Sequence, residues 1–297
     1  MFPFHRQIRH AVSALACVTL LSTQALASDL AETIRNWEQA LDARLGVLLV
    51  HPATGWEIAH NADDRFPLNS TFKPLLCAAI LSQVDRSTED LTAQVEIRRK
   101  DLVSHSPVTE RYIGTTRSLA QLCDAAITRS DNTAANLLLE RIGGPEGFTE
   151  YMQTSGDLIT RLDRWETDLN SATPGDPRDT ASPRSVLSTL HAALSGTMLS
   201  GSSSAQLADW MQRDQLADDL IRAHLPERWT IGDKTGAGGH GSRGIIAFLR
   251  DPQGHEYLAA IYITETNADF SRRNQAISDI GRAMIAEIRL RRGSAGG

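Results

Sequence analysis

Segments that read as β-strands occur only toward the two ends of this 297-residue chain, and that placement restricts the fold more than any other feature. Near the start, "VLLVHP" and "WEIAHN" are short apolar-rich runs joined by a Pro/Gly turn. Near the end come "WTIGDK", "GIIAFLRD" and "YLAAIYIT", the last two joined by "DPQG", a hairpin signal at residues 251–254. From Ala62 to about Asp214 the pattern is mostly helical, interrupted by loops such as "RSTED", "GGPEG" and "NSATPGDPRD". One helix, "LAETIRNWEQALDARLG", precedes the first strand, and another, "NQAISDIGRAMIAEIRL", follows the last. The predicted architecture is α/β of the α+β type: an antiparallel five-stranded sheet built from both termini and flanked by helices, with an all-α domain inserted in the middle. The expected division is residues 28–61 with 215–297 for the α/β domain and 62–214 for the helical one, which includes a loop at 161–179.

With 41% hydrophobic and 22% charged residues, the chain has enough apolar mass for a sizeable core. A formal charge of −6 argues against a general nucleic-acid binder. Residues 1–27 read as an export signal: Arg6 and Arg9, then "AVSALACVTLL", too short to span a membrane, then "ALAS" with small residues at the cleavage positions. Cleavage after Ala27 removes two positive charges and no negative one, so the mature charge is −6 − 2 = −8. The expected product is secreted and periplasmic, has no membrane association after signal removal, and is a monomer. Export leaves Cys77 and Cys123. By spacing alone, a disulfide and two buried thiols are equally compatible with that pair.

Several kinds of chemistry find little support. The nine histidines form neither H-x-H nor H-E-x-x-H, so no metal site is expected. "GSSSAQ" lacks the second glycine and the preceding strand of a nucleophile elbow. "GDKTGAGGHGSRG" lies between strands and does not match a phosphate-binding loop. No cofactor is implied.

"NSTFKPLLCAAIL", residues 69–81, is different. It reads as a helix, with Pro74 tolerated in the first turn. Yet Lys73 stands near the positive end of the helix dipole among apolar neighbours, where a cation is poorly placed. Ser70 as a simple N-cap with Lys73 reaching to water is the plain reading of that stretch alone. Three further stretches occur in order. Ser130-Asp131-Asn132 lies at a polar break before a helical run, Glu166 sits in the charged loop "RLDRWETDLN", and Lys234-Thr235-Gly236 ends a strand. Each alone is a helix cap, a surface acid or a strand end; together and in this order they are far less expected by chance.

With these stretches, "RFPLNSTFKPLLCAAIL", "SDNTAANLLL", "RLDRWETDLN" and "DKTGAGGHGSRGI", the mature chain resembles the class A serine β-lactamases over nearly its whole length. "STFK", "DLVSHSPV" and "GAGG" resemble carbenicillin-hydrolysing members, although Lys234 stands where some of these carry arginine. The resemblance implies a β-lactamase/transpeptidase-like fold, a Cys77–Cys123 disulfide, and small-molecule β-lactams as substrates. It also implies roles. Ser70 is the nucleophile, and Lys73, one turn on, lies on the same helix face. Either Lys73, or Glu166 through a water, takes the serine proton. Ser130 passes a proton to the leaving lactam nitrogen. The backbone N–H groups of Ser70 and Ala237 form the oxyanion hole. Asn132 holds the substrate side-chain amide, Lys234, Thr235 and Arg243 gather its carboxylate, and Gly236 belongs to the same substrate-binding strand. Glu166 with Asn170 activates the water that hydrolyses the acyl-serine ester. Arg164 and Asp179 resemble the ion pair that fixes this loop, and Asp131 reads as structural. His105 stands where many relatives carry an aromatic residue, and His240 is expected to face water. Two rivals share serine, lysine and K-T-G: a D-alanyl-D-alanine peptidase and a β-lactam sensor that is acylated without turnover. Glu166 speaks against the first, and the lack of a transmembrane segment after the signal against the second.

Overall fold

The computed structural model describes residues 30–295; the expected export signal at 1–27, the expected cleavage site and Cys17 lie outside the described residues. Helix α1 spans 30–41. The main sheet has five strands, β1 (Arg44–His51), β2 (Trp56–His60), β7 (Thr230–Ala237), β8 (Arg243–Arg250) and β9 (Glu256–Thr264), in the order β2-β1-β9-β8-β7. Every neighbouring pair is antiparallel. The first and last strands therefore meet in the middle of the sheet, with Leu48 opposite Ala260.

Alternation along the strands explains why helices cover both faces. Leu48, Ile246, Phe248, Leu258, Ala260 and Tyr262 point into one core with the central helices. Their neighbours Val47, Leu49, Ile245, Ala247, Ala259 and Ile261 point into a second core, closed by α1 and by the C-terminal helix α8 (Phe270–Ala295), which contributes Ile277, Ile280, Met284 and Ile288. Between β2 and β7 lie α2 (Lys73–Asp85), α3 (Leu119–Thr128), α4 (Asn132–Arg141), α5 (Gly144–Thr154), α6 (Pro183–Leu194) and α7 (Gly201–Gln212). Two small ladders join this region, β3 (Phe66–Pro67) with β6 (Thr180–Ala181) and β4 (Gln94–Glu96) with β5 (Thr116–Ser118). Helix α2 is buried on all sides, from Lys73 to Ser82, as expected of a helix that is apolar all round. Cys77 on α2 and Cys123 on α3 are joined by a disulfide. Among the described residues no helix is long and apolar enough to cross a membrane.

Two element boundaries differ from the sequence reading. The N-terminal helix stops at residue 41 rather than running to Gly46, because Asp42 takes a positive φ of 44°. Arg44, Leu45 and Gly46 instead pair with Thr264, Ile263 and Tyr262. Gly46 is required there: a Cβ would run into the ring of Phe66. The helix of "NSTFKPLLCAAIL" begins in two parts, a 3-10 turn at Asn69–Phe72 and then α2 from Lys73, with Pro74 in its first turn. Ser70 is not its N-cap; that position is Phe72, with no side-chain cap.

Candidate active site

The turn carrying Ser70 is pinned to the sheet on both sides. Asn69, at φ 45°, donates to Ser242 Oγ (3.1 Å), and Thr71 Oγ1 bonds Leu68 O (2.6 Å) and Tyr262 OH (2.9 Å). The backbone of β7 closes against the same turn. A Cβ at Gly236 would come within 2.9 Å of Ser70 N, so only glycine lets the strand approach this closely. Because β7 is the edge strand, its outer backbone groups have no neighbouring strand in the main sheet. Ser70 thus sits in a cleft of about 420 Å³, between β7 on one side and the Ser130 and Asn170 loops on the other.

Lys73 is fully buried, and its Nζ is surrounded by oxygen: Asn132 Oδ1 at 2.6 Å, Ser130 O at 2.9 Å, Glu166 Oε1 at 3.1 Å and Ser130 Oγ at 3.4 Å. Burial lowers the pKa of this amine, while the charge of Glu166 opposes the shift.

Ser130 sits at φ 55°, an uncommon conformation for serine. Asp131 supports it. Its carboxylate is completely buried and accepts Val108 N (2.9 Å), Thr109 N (2.9 Å), Thr109 Oγ1 (2.8 Å) and Ala134 N (2.8 Å), capping α4 and tying it to the preceding loop. Asn132 Oδ1 accepts from Lys73 Nζ and one Nδ2 proton goes to Ser104 O (3.0 Å), which leaves its second Nδ2 proton for the cleft. His105, also on the cleft wall, accepts Asn132 N with its carbonyl.

Glu166 is held from both sides of its backbone by Asn136, which accepts Glu166 N (3.0 Å) and donates to Glu166 O (2.9 Å). The Glu166–Thr167 peptide is cis. Asn170 Nδ2 donates to Glu166 Oε2 (2.6 Å). Glu166 Oε1 lies at ion-pair distance from Lys73 but off hydrogen-bond geometry, and it and Asn170 Oδ1 are both buried acceptors without a hydrogen bond. The loop is locked by Asp179, whose carboxylate accepts Asp163 N (2.7 Å), Arg164 N (3.0 Å) and Arg164 Nε (2.5 Å). Leu68 N donates to Asp179 O, which links the loop to the Ser70 turn.

Lys234, on β7, is wholly buried with no hydrogen-bond partner for its Nζ. Burial pushes its pKa down to about 8, opposed by Asp214 and reinforced by Lys73. Arg243 reaches Gly236 O (3.0 Å) and Asn274 Oδ1 (2.9 Å), and burial lowers it to about 10. Thr235, Gly236, Ala237 and Arg243 all line the cleft with Ser70, Ser130, Asn132 and Asn170. His240 is not among the lining residues.

The sequence reading missed other residues of the site. Leu216, Phe270 and Asn274 line the cleft, and Asp214 and Asp233 lie near Lys234. Asp233 is paired with Arg222 (2.8 Å) and is pushed up to about 7 by burial, with Asp214 beside it. Leu216 and Phe270 lie in regions without a motif, and nothing in their local sequence marks them.

Comparison with known proteins shows the family and the fold. The profile of the "Beta-lactamase enzyme family" matches residues 29–288. An ancestral class A β-lactamase (GNCA) is 46% identical, with a TM-score of 0.84 over 86% of this chain and 98% of its own. A further reconstruction (GNCA4), the last common ancestor of Gram-negative bacteria, is 45% identical, with a TM-score of 0.85 over 89% and 99%. A β-lactamase from Xanthomonas campestris pv. campestris is 38% identical, with a TM-score of 0.86 over 89% and 98%. By sequence, by fold and by this arrangement of side chains, the chain belongs to the class A serine β-lactamases.

Proposed function

We propose that the enzyme hydrolyses the β-lactam ring of penicillins and of some cephalosporins through an acyl-enzyme on Ser70, and that, exported to the periplasm as a monomer, it gives its host resistance to these antibiotics. The observation that carries this reading is the Glu166 carboxylate. It is held between Lys73 and Asn170 and keeps one acceptor oxygen unbonded beside a second, Asn170 Oδ1. Two adjacent buried acceptors are what a bound water needs for orientation.

Ser70 Oγ attacks the lactam carbonyl while its proton passes to the Lys73–Glu166 pair. The backbone N–H groups of Ser70 and Ala237 receive the charge that develops on the carbonyl oxygen. Donors of this kind contribute about 3–4 kcal/mol in a transition state. The C–N bond breaks as Ser130, 3.4 Å from Lys73, delivers a proton to the departing nitrogen. The free Asn132 Nδ2 proton meets the substrate side-chain carbonyl. The substrate carboxylate settles against Lys234, Thr235 and Arg243, where an unpartnered buried ammonium gains a counter-ion. Glu166 then takes a proton from water, the hydroxide attacks the ester, and Ser70 departs with its proton restored.

Purified enzyme should turn over a chromogenic cephalosporin for many cycles, whereas a peptidase or a sensor domain would stop after one. Glu166→Ala should still be acylated by benzylpenicillin but should not clear the ester. Intact-mass measurement should show one antibiotic per chain, mapped to Ser70 and absent in Ser70→Ala. Turnover at the parent rate by Glu166→Ala, or an adduct elsewhere, would refute the proposal.

A further inference from the structure

Phe270, the first residue of α8, is 49% exposed and belongs to neither hydrophobic core. Of the five large apolar side chains exposed among the described residues, it and Leu216 line the cleft that holds Ser70. An aromatic ring left half in water on a cleft wall is available to a ligand. The Arg243 guanidinium carbon lies 4.9 Å from the centroid of this ring and that of Arg273 lies 5.5 Å away. Neither arginine has a carboxylate partner among the described residues. Arg243 bonds Asn274 Oδ1 and Gly236 O, and Arg273 bonds Ser242 O and Asp269 O, all neutral acceptors. Burial and the nearby Arg273 depress Arg243, with Asp214 opposing, while Asp269 partly offsets the burial of Arg273.

We propose that the part of the cleft lined by Phe270 is a subsite, with Arg273 behind the ring at its margin, that favours β-lactams carrying a planar anionic group beside the ring carboxylate. The inference rests on the proposed orientation of the substrate, with its carboxylate at Arg243. In a penicillin the neighbouring ring carbon carries only methyl groups, which reach no further. In a cephalosporin the C3 substituent leaves an sp² carbon next to the carboxylate-bearing one, so a conjugated aryl group projects in plane past the anchor. Such a ring meets Phe270 as an aromatic pair, and its negative charge meets Arg273.

The test uses three cephalosporins that differ only at C3, which bears methyl, phenyl or 4-carboxyphenyl, with benzylpenicillin as reference. For the parent enzyme, kcat/KM should rise in the order methyl, phenyl, carboxyphenyl. Phe270→Ala should lower the two aryl substrates relative to the methyl one by about three- to tenfold, the range of an aromatic pair. Phe270→Leu, which keeps apolar bulk beside Arg243, should do the same. Arg273→Gln should abolish the advantage of carboxyphenyl over phenyl and its dependence on salt. Equal losses on all four substrates would mean that Phe270 merely buttresses Arg243, and would overturn the subsite. So would a parent enzyme that hydrolyses benzylpenicillin without ranking the cephalosporins by their C3 group. Failure to hydrolyse any of the four would instead sink the proposed function itself.

Discussion

Replacing Asp179 by Asn changes one atom and should unlock the loop that carries Glu166. In the native enzyme Asp179 Oδ1 accepts Asp163 N and Arg164 N, and Oδ2 accepts Arg164 Nε. Asn can keep the first oxygen and its two bonds. Its amide nitrogen then faces the Arg164 N–H, donor against donor, next to a guanidinium without its nearest counter-ion. Asp179 is 1% exposed and the Arg164 side chain 19%, so water replaces little of the lost interaction. A hydrogen bond to a charged group is worth about 1.5–3 kcal/mol, and we expect a loss in the upper half of that range, about 2–3 kcal/mol. Asp176, 3.8 Å from Arg164, remains and keeps the loss below that of a fully orphaned charge. If the whole loss is global, the melting midpoint should fall by about 2–4 °C per kcal/mol. We expect most of it to appear locally. Amides of residues 163–179 should exchange faster while those of β8 and β9 keep their protection. Acylation of Ser70 should persist and deacylation should slow, because Glu166 and Asn170 ride on the loop and Ser70 does not. Unchanged loop exchange together with parental deacylation would refute the reasoning.

Lys234 titrates from about 8 in the free enzyme and is charged below that value, so kcat/KM should fall as pH rises through about 8. A bound carboxylate favours the ammonium, so the fall in kcat should lie at higher pH; an identical profile in Lys234→Arg would contradict this. The oxidised mature protein should show no free thiol on denaturation, and Cys77→Ser should lower stability by no more than about 4 kcal/mol for a loop closing residues 46 apart, with activity retained at low temperature. Penicillins should be preferred to oxyimino-cephalosporins. Gly239 N bonds Asn170 O (2.8 Å), and a Cβ at Gly238 would strike Asn69 and Asn170, so this rim has no room for a branched side chain. A kcat/KM ratio for benzylpenicillin over cefotaxime near or below one would contradict that.

How much of this was legible depended on the range of each interaction. Strands β1, β8 and β9 alternate between two buried faces, and their apolar runs stand out because no polar face dilutes them. Ser70, Lys73, Ser130, Glu166 and Lys234 sit in short fixed spacings, so their types and order are visible without coordinates. The end of α1 was misplaced because Leu45 and Gly46 suit a helical pattern locally, and only pairing with Ile263 and Tyr262 makes them strand. Ser70 looked like a cap because serine before an apolar run usually is one; the bonds of Asn69 to Ser242 and of Thr71 to Tyr262, which shape the turn, cross most of the sequence. Phe270 and Leu216 reach the cleft only through the packing of α8 and of the segment after α7, which no local pattern encodes.

The pairing of β1 with β9 also sets an order of events for a newly made chain. Leu48 is made some two hundred residues before its partner Ala260, and β8 needs the same strand on its other side. Until then the first strand has one neighbour, β2, and an isolated hairpin is marginal at best in water. The growing chain is therefore held open by its own topology, which would suit the export proposed for it. The same topology makes the gene intolerant of late stops. All the groups proposed to carry the hydrolysis and to anchor the ring carboxylate are encoded at or before Arg243, yet a chain ending there would carry every reactive residue and no closed sheet to aim them.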